Sequence, residues 1–331
     1  MYIYYINIII MDISFLKKSL KLPVIGAPLF IISNPDLVVE QCKAGVVGSF
    51  PALNARPKEQ LDDWLYEINE KINNFNKTSS VKAAPYAINQ IVHKTNDRVE
   101  HDMELTVKHK VPVVITSLGA RKEVYDAVHS YGGIVFHDII NNFFARKAIE
   151  KGADGLIAVA AGAGGHAGTI SPFALIQEIR EWYDGPIALS GSISTGHGIL
   201  SALASGADFG YIGSAFIATK EANASINYKE AITKYNSDDI VYTDLVTGVK
   251  GNYLKPSLAA AGFDPDNLPK SDPSKMDFSS EDGMEKKKAW KDIWGCGQGI
   301  GSVKEVLSCS QLVDKLTDEY NQAKSRLKAI G

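Results

Sequence analysis

The chain has 331 residues, 45% hydrophobic and 22% charged, with a net charge of −3; this is a globular composition, long enough to bury a core without disulfide or metal staples. No basic stripe points to nucleic acid and no polybasic segment to anionic lipid. The three cysteines, Cys42, Cys296 and Cys309, lack metal-site spacing and are odd in number, so they are read as reduced thiols of a cytoplasmic protein with no metal site.

The apolar run at residues 1–10 has no basic flank and no small-residue cleavage site, and is too short to span a bilayer. It reads as a dispensable part of an N-terminal extension, residues 1–20. Eight short apolar, β-branched runs follow: Val24–Phe30, Val46–Phe50, Lys82–Ile88, Val111–Thr116, Ile134–His137, Gly155–Ala160, Pro186–Ser190 and Phe209–Gly213. They are nearly continuous rather than alternating, which suits parallel strands buried on both faces. Helical patterns fill the gaps. Asn141 can cap one helix that Gly152 ends, Ser171–Pro172 opens another, and Gly206 closes a third. Eight strand–helix units predict an α/β fold, a TIM (β/α)8 barrel over residues 21–220, and the absence of G-x-G-x-x-G after the first strand speaks against an open dinucleotide-binding sheet.

Beyond the eighth strand the texture changes. Residues 221–299 carry Pro256, Pro265, Pro269 and Pro273 and the lysine run Lys286–Lys288, and are read as a lid or cap insertion. Residues 300–331 contain Leu312, Leu316, Tyr320, Ala323 and Leu327 at helical spacing, the pattern of a closing helix packed back on the barrel.

In such a barrel the chemistry gathers at the C-terminal ends of the strands. The sixth strand ends in A-G-A-G-G-H-A-G, residues 161–168, whose glycines, among them Gly164 and Gly165, permit close backbone approach to a ligand and surround one imidazole, His166. The seventh ends in S-G-S-I-S-T-G and the eighth in I-G-S-A-F. Together, Gly191, Ser192, Gly213 and Ser214 form a candidate phosphate site of backbone N–H groups, aided by a helix N-terminus. The first strand ends in G-A-P-L-F, placing Ala27, Pro28 and Leu29 at the mouth, and the third ends in Y-A-I-N, placing Asn89 there. His137 closes the fifth strand and ranks second among the histidines; His93, His101, His109, His129 and His197 read as solvated. Gln298, in G-C-G-Q-G-I-G, returns from the lid and is a candidate to orient a substrate oxygen; a hinge is the alternative.

The order A-P-L-F, Y-A-I-N, A-G-A-G-G-H-A-G, L-S-G-S-I and I-G-S-A-F-I-A-T resembles the nitronate monooxygenase family, formerly called 2-nitropropane dioxygenases, from about Leu22 to the C-terminus. The resemblance implies non-covalent FMN on a TIM barrel with His166 beside the flavin. It implies flavin contacts at Ala27, Pro28, Leu29, Asn89, Gly164 and Gly165, and phosphate contacts at Gly191, Ser192, Gly213 and Ser214. Some relatives carry lysine after the strand-five histidine; Asp138 stands there in this chain, leaving that contact without a counterpart. The implied reaction takes a small-molecule alkyl nitronate and O2 to a carbonyl compound and nitrite. In it, His166 either abstracts the α-proton of a neutral nitroalkane or hydrogen-bonds the nitro oxygens, and an imidazole titrating near neutrality suits both roles. The competing readings are a flavin NAD(P)H oxidoreductase on the same barrel, of the enoyl-ACP reductase or quinone reductase type, and a barrel that binds a phosphate ligand without turnover. The expected partners are substrate and O2, with no nucleic acid and no membrane; oligomeric state stays open, a homodimer being one option.

Overall fold

The protein is described from a computed structural model, which covers residues 13–269 and 292–330. The apolar run at residues 1–10 and the lysines at 286–288 lie outside the described residues. Eight parallel strands make the barrel: β1 (Val24–Gly26), β2 (Gly48–Pro51), β3 (Tyr86–Ile91), β4 (Val113–Ser117), β5 (Ile134–Ile139), β6 (Gly155–Val159), β8 (Ile187–Ser190) and β9 (Phe209–Ile212). A two-residue strand, β7 (Gly165–His166), falls between β6 and β8 in the chain and belongs to a second sheet. Closure comes from an Ile25–Val47 bridge, with Gly26 N–H donating to Val47 O at 2.8 Å and Val47 N–H to Val24 O at 3.1 Å. The expected strands are thus all present, several of them shorter than their apolar runs.

Alternation along each strand divides the core in two. Ile25, Val47, Ala87, Val113, Ile115, Phe136, Ile157, Ala188, Phe209 and Tyr211 fill the barrel interior. Their neighbours, such as Ile88, Val114, Val135 and Ile139, face the helical ring together with Leu175, Ile176 and Ile179. Because both faces are covered, the strands need no polar side, which explains their continuous apolar runs. The helix Asn142–Glu150 is capped by the Asn141 side chain accepting from Phe144 N–H, and Gly152 follows with φ of 103°. Ser171 stands before the helix Pro172–Arg180, but its side chain makes no capping bond.

The extension expected over residues 1–20 is divided by the structure. The helix Ser14–Ser19 lies under the barrel, where Leu16 is fully buried beside the interior residues, with Ile13 next to it. At the other end, β10 (Ile240–Thr243) and β11 (Gly251–Leu254) form an antiparallel pair, and β11 also pairs with β7. This three-stranded sheet covers part of the mouth. The closing helix runs Cys309–Lys328 behind a capping box of Ser308 and Gln311.

Candidate active site

The strand ends, the β7–β11–β10 sheet and the segment 293–299 enclose a cavity of about 1260 Å³. Ala27, Pro28, Leu29, Asn89, Gly164, Gly165, His166, Gly191, Ser192, Gly213 and Ser214 all line it. The structure therefore brings eleven of the twelve expected site residues to one cavity. Gln298 is the exception. It is exposed and does not line the cavity, although Gly297 and Gly299 on either side do. Its backbone N–H donates to Gly162 O at 2.9 Å, which fixes the segment against the glycine loop, and its side-chain amide lies beside Gly162 and the Ser192 hydroxyl, at the edge of the cavity.

His166 owes its place to two sheets. β7 continues from the barrel through the glycine loop, and pairing of His166 with Gly251 on β11 holds it under the cover. Its Nε2 lies 2.9 Å from Thr247 Oγ1, in the turn between β10 and β11. The Thr247 hydroxyl can give its own proton to Val249 O, 3.0 Å away; it then accepts from an Nε2–H tautomer. Desolvation pushes the imidazole down to about 4, so His166 is neutral at physiological pH. This corrects the expectation of titration near neutrality: a neutral imidazole of such low basicity is well made for hydrogen bonding and is a weak general base.

The glycine requirements in this loop differ. A Cβ at Gly164 would stand 2.7 Å from Gly297 N, so close packing of the returning segment demands glycine there. At Gly165 the φ is +64° and a Cβ would meet nothing within 4 Å, so its bare backbone faces open cavity space.

The candidate phosphate cradle has Gly191 at φ of 130° and Ser192 at 58°, consecutive residues in the left-handed half of backbone space. Among the described residues, the N–H groups of Gly191 and Gly213 donate to no backbone carbonyl. Ser214 Oγ accepts from Gly297 N–H at 2.8 Å, leaving its hydroxyl proton for another acceptor. Ser192 N–H is not available, since it donates to Gly162 O at 3.3 Å; the N–H groups of Gly191 and Gly213 and the Ser214 hydroxyl are the donors that fit a phosphate. The helix dipole contributes less than expected. The helix after β9, Ser214–Ile217, is a single turn. The N-terminus of the longer helix after β8, Gly196–Ala204, is already met by Glu319, whose Oε2 accepts from Gly196 N–H at 2.7 Å.

The remaining histidines sort by environment. His137 borders the cavity at the end of its strand, as expected. Its side chain turns toward the helical ring, with Nδ1 2.6 Å from Thr116 Oγ1 and 3.0 Å from Tyr125 OH. Burial, and then the Lys151 charge, push it down to about 4. His101, His109 and His129 each meet a carboxylate, Asp102, Asp62 and Asp154 respectively, rather than solvent alone. His93 lines the cavity, and His197 is exposed.

Three features were not foreseen. Thr247 holds His166, yet nothing distinguishes it within a polar turn. Asn89, Ser117 and Asp138, inward-facing on successive strands β3, β4 and β5, form a hydrogen-bonded row along the cavity wall. Ile31 lines the cavity at φ of 68°, a costly conformation for a β-branched residue. Asn54 Oδ1 accepts its N–H at 2.9 Å and Asn223 Nδ2 donates to its carbonyl at 3.1 Å, which holds it there.

Among the described residues no cluster of His, Cys, Asp and Glu could hold a metal ion, and no helix is long and apolar enough to cross a membrane. All three cysteines are free and buried.

Comparison with known proteins matches residues 14–319 to the family model described as nitronate monooxygenase. A probable nitronate monooxygenase of Bacillus subtilis (strain 168) is 26% identical, over 92% of this chain and 98% of its own length. A (3aS,4S,5R,7aS)-5-hydroxy-7a-methyl-1-oxo-octahydro-1H-indene-4-carboxyl-CoA dehydrogenase of Rhodococcus jostii (strain RHA1) is 21% identical over 93% and 94%. Among solved structures, the fold is similar to nitroalkane oxidase from Streptomyces ansochromogenes, with a TM-score of 0.79, 22% identity and coverage of 94% and 99%. It is similar also to FabK from Thermotoga maritima, with a TM-score of 0.78, 20% identity and coverage of 96% and 98%.

Proposed function

Since this chain belongs to the nitronate monooxygenase family and is a flavin oxidoreductase, we propose that it binds FMN in the barrel mouth and oxidises alkyl nitronates with O2 to a carbonyl compound and nitrite. The observation that carries this reading is His166 held on the cover sheet, in the same cavity as the glycine–serine cradle. Gly191, Ser192, Gly213 and Ser214 would hold the single phosphate of FMN. Ala27, Pro28, Leu29, Asn89, Gly164 and Gly165 would border its ring. When bound, the flavin supplies the electron-transfer chemistry.

The protein's own contribution is binding and orientation. With Nε2–H directed at Thr247, the imidazole carries its proton on that side; the opposite tautomer would carry it on Nδ1 and offer a donor to a nitro oxygen. An anionic nitronate favours the donor form. A neutral nitroalkane asks for a base matched to the operating pH, which His166 at about 4 is not; nitronates are therefore the preferred substrates. Of the region after the barrel, β10, β11 and the segment around Gly297 serve as a cover that excludes water, and Gln298, beside Gly162 and Ser192, is placed to orient a substrate oxygen.

The alternative, NAD(P)H-dependent reduction on the same barrel, draws support from Arg56, Lys147 and Lys151 on the cavity wall, which could pair with nucleotide phosphates. Two measurements test the proposal. Cofactor released by heat should run as FMN, and purified protein supplied with a nitronate in air should release nitrite. Recovery of FAD would refute the cofactor assignment, and lack of nitrite would refute the reaction.

A further inference from the structure

We propose that Ile31 and Leu118 are specificity-determining residues: two aliphatic side chains, set in the cavity by left-handed backbone, that grip the alkyl chain of the substrate. The inference rests on the nitronate reading above and adds to it a preference for longer chains.

Among the described residues, four other than glycine have positive φ: Ile31 at 68°, Lys110 at 48°, Leu118 at 60° and Ser192 at 58°. Lys110 has an ordinary reason, being an exposed residue just past the helix Val99–Lys108. The other three line the cavity. Ser192 belongs to the cradle. That leaves two bulky aliphatics in a conformation that crowds Cβ against the backbone and that glycine adopts freely. For Ile31, branched at Cβ, the crowding is worst. Hydrogen bonds pin both positions. Asn54 and Asn223 hold Ile31 by its N–H and its carbonyl, and Asn54 Nδ2 donates on either side of it, to Leu29 O at 3.0 Å and Ser33 O at 2.8 Å. Around Leu118, Ser117 O accepts from Val92 N–H at 3.0 Å and Ala120 O accepts from Lys151 Nζ at 2.6 Å.

Packing within the protein does not offset this cost. Ile31 and Leu118 are half-buried, yet neither joins any apolar cluster of the fold among the described residues. Their neighbours differ: Ile32 lies inside one such cluster and Leu29 packs against it. An aliphatic side chain that borders a cavity, sits on strained backbone and has no place in the core is a surface for a ligand, because strain of this kind persists where function uses it. Neither side chain can make a hydrogen bond, so the part of the ligand that meets them is hydrocarbon. The place in the barrel separates Leu118 from the phosphate: β4, whose end carries it, lies four strands round the ring from β9, whose end carries Gly213 and Ser214. Leu53, after β2, lines the cavity between the ends of β1 and β4 in strand order. With the nitro group at His166, the alkyl chain is the part of a nitronate left to fill this side.

The test is turnover of the FMN-replete, full-length protein with the nitronates of nitroethane, 1-nitropropane and 1-nitrobutane. Burial of one methylene corresponds to about a fourfold gain in affinity, so wild-type kcat/KM should rise about fourfold with each added carbon. Ile31→Asn and Leu118→Asn place a residue that tolerates the left-handed conformation and remove the apolar face. In each, the rise should shrink to about twofold or less per carbon, with the Kd for FMN unchanged. Ile31→Gly and Leu118→Gly separate this role from a structural one: relieved of Cβ crowding, they should melt no lower than wild type and show the same flattened series. A wild-type series without length dependence, or one that all four variants reproduce, overturns the role of the two residues and leaves nitronate oxidation standing. Equal loss on every substrate with a lowered melting temperature would make them structural props, and weakened FMN binding would make them flavin contacts; either overturns the proposal. Absence of nitrite from all three substrates in wild type overturns both readings.

Discussion

At the scale of single residues, burial decides what the histidines do. His166 was visible in the sequence as one imidazole among glycines, but its protonation was not, because that depends on the cover sheet and on Thr247. Replacing His166 with alanine is expected to leave FMN bound, since the cradle is separate. A hydrogen bond to a charged partner is worth about 1.5–3 kcal/mol, so kcat/KM for nitronate should fall by roughly 10- to 100-fold. A far greater loss with neutral nitroalkane, on the order of the 10²–10⁴-fold typical of a general base, would return His166 to the role of base. His137 gives a test of stability. Its folded pKa of about 4 lies below the unfolded 6.5, so the unfolded chain binds the extra proton between those values. The stabilisation is fully present above pH 6.5 and is lost as pH falls toward 4, by up to about 3 kcal/mol. Melting temperature followed from pH 7 to pH 4.5 should decline less in His137→Gln than in wild type; parallel curves would show that His137 is not the linked group.

At the scale of elements, the barrel was legible because strands buried on both faces leave unbroken apolar runs, and because Asn141, Gly152 and Gly206 mark helix ends. What escaped was set by tertiary packing. A six-residue helix, Ser14–Ser19, is too short to announce itself by periodicity, yet Leu16 is fully buried beneath the barrel. Leu16→Ala should cost about 2–5 kcal/mol in chemical denaturation, the range for a buried leucine; a loss under half a kilocalorie would mean the helix is merely laid on the surface. Gly196, the last residue of S-G-S-I-S-T-G, is a packing contact in the fold. A Cβ there would fall 2.2 Å from Tyr320 N and 2.3 Å from Leu316 O of the closing helix. Gly196→Ala should lower stability by about 1–3 kcal/mol through overpacking, with flavin content retained at temperatures below the transition. Wild-type stability would place the closing helix further from the barrel. At Gln298 the glycines on both sides serve packing as well: their backbone closes on the loop at Gly162, with the Gln298 amide beside it.

At the scale of the whole molecule, a closed barrel, a cradle built from two successive strand ends and a histidine on a covering sheet converge on one cavity. Convergence of this kind supports a flavin oxidoreductase. The most direct measurement compares three reactions of one purified, FMN-replete sample in air: an alkyl nitronate alone, NADH with a quinone, and NADH with an enoyl thioester. Nitrite released from the nitronate, with NADH consumed at no more than the flavin-free rate, is the expected result. NADH oxidation driven by quinone or enoyl thioester, with no nitrite from nitronate, would contradict it.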